Sequence, residues 1–201
     1  KARGIPVAGA DRLRLADYIG VRDCLNLMRF ALLPSRDLVL AEILRGPFAG
    51  LVDDDRYLFE LASGRAPDES LWSRIQASDD PEVARVSLFL SMLAQRAHLP
   101  PFEFLSSVLD QPRVDGATGW EMINARLGAP ARDPVEALLA QALAHDAAGP
   151  SSMQAFVAGL EATPVEIKRD LAEAGGEVRV MTVHGAKGLQ SPIVILPDTT
   201  A

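Results

Sequence analysis

Within a few residues near its C-terminal end, the chain places a hydroxyl (Thr182), an imidazole (His184), a cation (Lys187) and two glycines, Gly185 and Gly188. The hydroxyl and the nitrogen groups are donors suited to a polyanion, and the glycines let a backbone approach a phosphate closely. The set is not a Walker A loop. Gly185-Ala186-Lys187-Gly188 lacks the first glycine at the required spacing and the hydroxyl residue after the lysine. The expected chemistry is contact with phosphate, without a nucleotide-cradling P-loop of the chain's own.

Other residue types that do chemistry are scattered. His98 precedes a double proline, His145 lies in an alanine-rich stretch and Cys24 is remote from both. With no paired ligand spacing, no metal site is expected. Asp53-Asp54-Asp55 offers carboxylates to a cation, but reads more simply as an N-cap with favourable charges at a helix start. Trp72 and Trp120 have faces on which bases stack, yet each falls in a helical apolar pattern and reads as core. No Ser/His/Asp or Cys/His set has local support, so no catalytic residue is assigned within this chain.

The polyanion loop needs a rigid support, and the residues before it supply one. Val178, Val180 and Val183 make a β-branched run that suits a buried strand, with the loop at its C-terminal edge, where ligands of open α/β sheets bind. The apolar run Ile193 to Leu196 follows as a second strand. Upstream the period is helical. Val21, Cys24, Leu25, Met28 and Leu32 recur at helical spacing until Pro34. Ser35 is the expected cap of a helix carrying Leu38, Val39, Ile43 and Leu44, stopped by Gly46-Pro47. Short helices are expected over Asp54 to Ala62 and Glu69 to Gln76. A long one runs from Asp80-Pro81-Glu82 toward Pro100-Pro101, and another covers Phe102 to Leu109. Thr118 with Glu121, Ser151 with Gln154 and Thr163 with Glu166 have capping-box spacing, and Asp133-Pro134 opens a further helix. Gly175-Gly176 supplies a stop, and the switch from helical to strand period at Val178 marks a domain boundary.

The pattern Thr182-x-His184-x-x-Lys187-Gly188-Leu189, between two apolar strands, resembles the fifth motif of superfamily 1 helicases of the UvrD, Rep and RecB type, with Gln190 where that motif has Glu. The wording from Met181 to Leu189 and from Pro192 to Thr199 is most similar to the AddA family, the helicase–nuclease subunits of bacterial double-strand-break repair complexes. Gly4-Ile5-Pro6-Val7 and then Leu13 to Phe30 resemble that group's short strand and the helix that leaves its second RecA-like core domain. The resemblance implies a mainly α chain: a helical 2B-type insertion over 13–175, flanked at 1–12 and 176–201 by short strands of an incomplete RecA-like α/β domain, the C-terminal region of a P-loop NTPase helicase.

The same resemblance implies a fragment of an ATP-dependent DNA helicase or translocase of repair and recombination, in which this loop couples single-strand binding to ATP hydrolysis. Thr182 and His184 would contact the single strand, and Lys187 would contact phosphate or brace the loop. Gly188 and Gln190 would lie near the phosphates and ribose of ATP. Gln190 keeps a carbonyl acceptor but no charge, so a hydrogen bond to ribose survives the exchange and an ionic role does not. ATP and Mg2+ belong to the full-length protein, with none bound by this stretch alone. The implied partners are single- and double-stranded DNA and an AddB-like subunit. The P-loop lysine, metal-binding acidic motif and arginine fingers of phosphoryl transfer are not readable here, so neither ATP hydrolysis nor unwinding is expected of this stretch by itself. The alternative is a non-catalytic helical interaction module whose last strands only resemble the motif.

Composition bounds both readings. The 201 residues are 48% hydrophobic with a mean hydropathy of +0.10, enough for one or two domains with a sizeable core. No apolar run approaches the roughly 20 residues of a membrane span, Cys24 is the single cysteine, and no leader pattern is seen, so a cytoplasmic setting is expected. A net charge of -7 and a pI near 5.0 argue against a free-standing DNA-binding domain. Charge is uneven, because residues 1–50 hold eight basic against five acidic side chains. Those arginines suit a duplex or a partner protein, with solvated helix faces as the simpler reading.

Overall fold

Short-range signals start most of the helices. In the computed structural model, which describes residues 7–8, 13–51, 54–66, 68–113, 116–162, 165–167, 178–179, 186–187 and 190–196, the helices are α1 (Ile19–Leu32), α2 (Asp37–Arg45), α3 (Asp54–Ala62), α4 (Leu71–Gln76), α5 (Pro81–Gln95), α6 (Pro101–Leu109), α7 (Gly119–Leu127), α8 (Arg132–Ala147) and α9 (Met153–Ala162). The Asp80 carboxylate accepts the N–H groups of Glu82 and Val83 at 2.8 and 3.3 Å, and Pro81 occupies the first turn, where its missing N–H costs nothing. Thr118 and Glu121 form a reciprocal capping box, the Thr118 N–H reaching the Glu121 carboxylate at 2.7 Å. Gly128 ends α7 at φ 80°, a conformation open to glycine without strain.

Some expected starts move. Ser35 does not cap α2; Arg36 holds the N-cap position without a side-chain bond, and Asp37 occupies the first turn. Ser152, not Ser151, serves α9, its hydroxyl accepting the Ala155 N–H at 3.4 Å, while the Ser151 hydroxyl donates to the Asp146 carboxylate. α8 begins at Arg132, one residue before the expected Asp133-Pro134 opening. Glu166 is not in a helix at all. Glu166–Ile167 is a strand, β3, paired antiparallel with β2 (Leu13–Arg14), and the Leu15 N–H donates to the Val165 carbonyl at 2.7 Å. The stretch Leu13 to Phe30 is therefore not one helix: after β2 a single 3-10 turn, Leu15–Asp17, leads into α1.

The chain divides into two units, one of residues 13–167 and one of residues 1–12 with 168–201. The first is mainly helical and built around α1. Val21, Cys24, Leu25, Leu27, Met28 and Phe30 are all fully buried, so α1 is covered nearly all round. It packs against α2, α5, α8 and α9. Phe30 meets Trp72 edge to face with ring centroids 5.2 Å apart. Truncating a buried residue such as Leu25 to alanine would cost about 2–5 kcal/mol.

Polar links fix the outer helices. The Asp37 carboxylate at the start of α2 accepts the Leu71 N–H at 2.8 Å and pairs with Arg65, tying α2 to the start of α4. Burial pushes the Asp37 carboxyl up, but these bonds outweigh it and hold it below the ordinary carboxylate range.

In the second unit, β1 (Val7–Ala8) pairs in parallel with β4 (Val178–Arg179), in the register Val7 to Val178 and Ala8 to Arg179. Parallel neighbours require a crossover connection. Here the whole helical unit lies between the two strands in sequence.

Candidate functional site

β4 precedes in sequence the residues singled out by their chemistry, and Val178, expected in a buried strand, is 50% exposed, because among the described residues only β1 pairs with β4. Its parallel partner, β1, comes from the opposite end of the chain, a long-range backbone pair. Lys187 lies in a turn with Ala186 and is exposed, and Gln190 is exposed in irregular backbone. Thr182, His184, Gly185 and Gly188 lie outside the described residues, as do Val180 and Val183. What the described part presents is one solvated ammonium and one solvated amide, groups that can donate to a phosphate or accept from a sugar hydroxyl.

The run after the loop corrects an expectation. Ile193, Val194, Ile195 and Leu196 form no strand and are between 71% and 81% exposed. A strand needs a ladder partner for its N–H and C=O groups, and no described residue pairs with this run. Four consecutive apolar side chains in water are a surface that a larger fold would cover.

The other candidates fall apart on geometry. Cys24 is fully buried in α1, and burial pushes its thiol far above the ordinary range, so it packs as a small apolar group. His98 Nδ1 lies 3.0 Å from the Gln95 carbonyl oxygen, and His145 packs on Phe156 with ring centroids 5.4 Å apart. Among the described residues no cluster of His, Cys, Asp or Glu has the makings of a metal site. Asp53 lies outside the described residues; Asp54 pairs with Arg126 at 2.6 Å and Asp55 with Arg45 at 3.1 Å, so arginines already neutralise these carboxylates. Trp72 and Trp120 are partly buried against the core, and the Trp120 indole N–H donates to Asp110 at 2.9 Å.

Several arginines of the first fifty residues are likewise engaged. Arg29 bonds Asn26 at 2.6 Å and Glu161 at 2.5 Å, while Arg22 lies 3.9 Å from Glu42. Arg14 and Arg36 are exposed, and Lys1, Arg3 and Arg12 lie outside the described residues. This favours helix support over a phosphate-binding stripe for the engaged members.

Two features escaped the sequence. Asp23 sits beside Gly46, and burial pushes its carboxyl up to about 6, with Arg22 opposing and Glu42 adding to the rise. A cavity of about 300 Å³ opens between α5 and the end of α6 with the residues that follow it, lined by Leu88, Phe89, Arg96 and Arg113 among others. Neither has a local signature, because its walls come from separate elements.

The sequence itself is AddA-like: it is similar to bacterial ATP-dependent helicase/nuclease subunits A along most of its length. The subunit of Oceanobacillus iheyensis is 28% identical over 204 residues, covering 96% of this chain and 16% of that protein. That of Latilactobacillus sakei is 26% identical over 219 residues, 100% of this chain and 24% of its own length. That of Lactobacillus helveticus is 25% identical over 178 residues, 85% of this chain and 14% of its own. The chain thus spans only a quarter or less of these relatives. No family model matches it. No described helix is long and apolar enough to cross a membrane.

Proposed function

We propose that this chain is part of an AddA-like, ATP-dependent DNA helicase or translocase of double-strand-break repair and recombination, and that its loop after β4 couples single-strand binding to ATP hydrolysis. In this reading residues 1–12 and 176–201 are edges of the second RecA-like core domain, and 13–175 is a 2B-like helical insertion. The observation that carries it is the parallel pairing of β1 with β4, two strands that bracket the helical unit in sequence and the second of which precedes the 182–190 stretch. The similarity to helicase/nuclease subunits A over 85–100% of the chain supports the same reading. So does the exposed apolar run Ile193 to Leu196, a surface of the kind that the rest of a longer protein would cover.

Thr182, His184 and Lys187 then meet the DNA backbone, and Gly188 and Gln190 lie on the nucleotide side. The residues present do not make a complete ATP·Mg2+ site: they include no P-loop and, among the described residues, no acidic cluster for the metal. They supply one wall, and the remaining groups belong to the rest of the longer protein. An AddB-like subunit and a cytoplasmic setting follow from the same reading.

The test compares the longer protein with this chain alone. The longer protein is expected to hydrolyse ATP in a DNA-dependent manner, and the 201-residue chain to show no hydrolysis above background. Turnover by the isolated chain, or a longer protein without ATPase activity, would remove the reading.

A further inference from the structure

The cavity between α5 and the end of α6 with the residues that follow it has a chemistry that the helicase reading does not use. One stripe of α5 provides Arg85, Leu88, Phe89, Met92 and Arg96, and Val108, Gln111 and Arg113 close the other side. The floor is apolar, with Phe89 and Val108 buried, and the lip is Leu88, 66% exposed. Arg113 lies over the Phe89 ring at 4.0 Å and donates to the Phe48 carbonyl, which fixes it as part of the wall. Arg96 is held differently. Its Nη2 donates to the neutral Gln111 amide oxygen at 3.2 Å, while its Nη1 is shielded from solvent and has no acceptor among the described residues.

A shielded guanidinium N–H without an acceptor is a cost that a carboxylate relieves, because charge-assisted bonds to a guanidinium fork are about twice as strong as neutral ones. No described residue lining the cavity is acidic, although the chain as a whole carries -7. Arg85 is paired with Glu82 at 2.8 Å, which leaves Arg96 and Arg113 as the other cations of the described lining, with no carboxylate among the lining residues. Its largely apolar lining and its volume of about 300 Å³ suit one large apolar side chain, at the small end of binding pockets. A nucleic-acid strand fits it less well, since it would bring many phosphates onto a protein of the same sign.

We propose that this cavity binds an acidic peptide segment of a partner protein, seating a bulky apolar side chain against Leu88, Phe89 and Met92 and a flanking carboxylate on Arg96. The site lies wholly within residues 13–167 and stands whether or not the loop after β4 couples DNA to ATP.

Fluorescence anisotropy on the full chain tests it, with a short fluorescein-labelled peptide carrying Leu-Phe flanked by Asp and Glu as the probe. A counterpart with Asn and Gln in place of the acids and a short single-stranded oligonucleotide are the comparisons. The acidic peptide is expected to bind more tightly than its neutral counterpart and more weakly as salt rises. Arg96→Gln is expected to lower its affinity about tenfold and the exposed-lip variant Leu88→Asp at least as much, with Leu88→Asp melting close to the parent. The proposal is overturned if the acidic peptide does not bind, if the two peptides bind alike, or if Leu88→Asp binds as the parent does. It is overturned equally if the oligonucleotide, and not the peptide, binds in an Arg96-dependent way.

Discussion

Gly119, the first residue of α7, is where a single methyl group should cost most. A Cβ built there lies 2.5 Å from the Val108 carbonyl oxygen and 2.9 Å from Leu109 Cα, both backbone atoms of the last turn of α6. Backbone cannot step aside by changing rotamer, so α7 would have to lift from α6. Overpacking of this kind costs about 1–3 kcal/mol, against at most about 1 kcal/mol returned by better helix propensity. A net loss of about 2 kcal/mol corresponds to a fall in Tm of about 4–8 °C for a domain of this size. Gly159 in α9 is the internal control, because a Cβ there meets nothing within 4 Å. Gly159→Ala should stabilise by about 0.4–1 kcal/mol. Thermal unfolding followed by far-UV circular dichroism reads both. The same substitution is expected to act with opposite sign at the two positions, and a Gly119→Ala protein melting at or above the parent would refute the α6–α7 packing.

Three further outcomes follow from named contacts. The folded Asp23 carboxyl takes up its proton more readily than in the unfolded chain, so its contribution is most favourable below about pH 4 and is lost as pH rises through about 6. Asp23→Asn should therefore stabilise at pH 7, by about 1 kcal/mol after allowing for partial solvent access, and by nothing near pH 4; urea unfolding at the two pH values would expose a flat difference if the burial argument is wrong. Asp80→Ala removes the cap of α5 and should cost about 1 kcal/mol in the same assay, whereas an unchanged midpoint would mean that the cap bonds contribute nothing net. In the longer protein, Gln190→Glu should alter ATP affinity or turnover, and identical steady-state constants would detach position 190 from the nucleotide.

What was legible in the sequence was what neighbours decide. Asp80-Pro81 and Thr118-x-x-Glu121 specify helix starts through bonds spanning at most three residues, and the structure forms both. The misreadings fall where the partner is remote. Leu13-Arg14 is a strand because Glu166–Ile167 pairs with it, and nothing near residue 13 announces that partner. Thr163 and Glu166 have capping-box spacing, but the pairing with β2 claims Glu166 for a strand. Ile193 to Leu196 has strand composition but no ladder among the described residues, so composition alone misplaced it. The phosphate chemistry expected of Thr182, His184 and Gly188 rests on residue types alone, since these lie outside the described residues; the structure shows the parallel pair β1–β4 that precedes them. The Arg96 cavity was not readable, since α5, the end of α6 and the residues beyond it must first be folded together to make its walls.

The central claim concerns that loop, and one measurement reaches it most directly: the DNA-stimulated ATPase rate of the longer protein, wild type against Thr182→Ala with His184→Ala. The account predicts that the double variant still binds ATP but loses stimulation by single-stranded DNA together with affinity for the strand. Stimulation undiminished in the double variant would contradict it and leave a helical interaction unit as the better description of this chain.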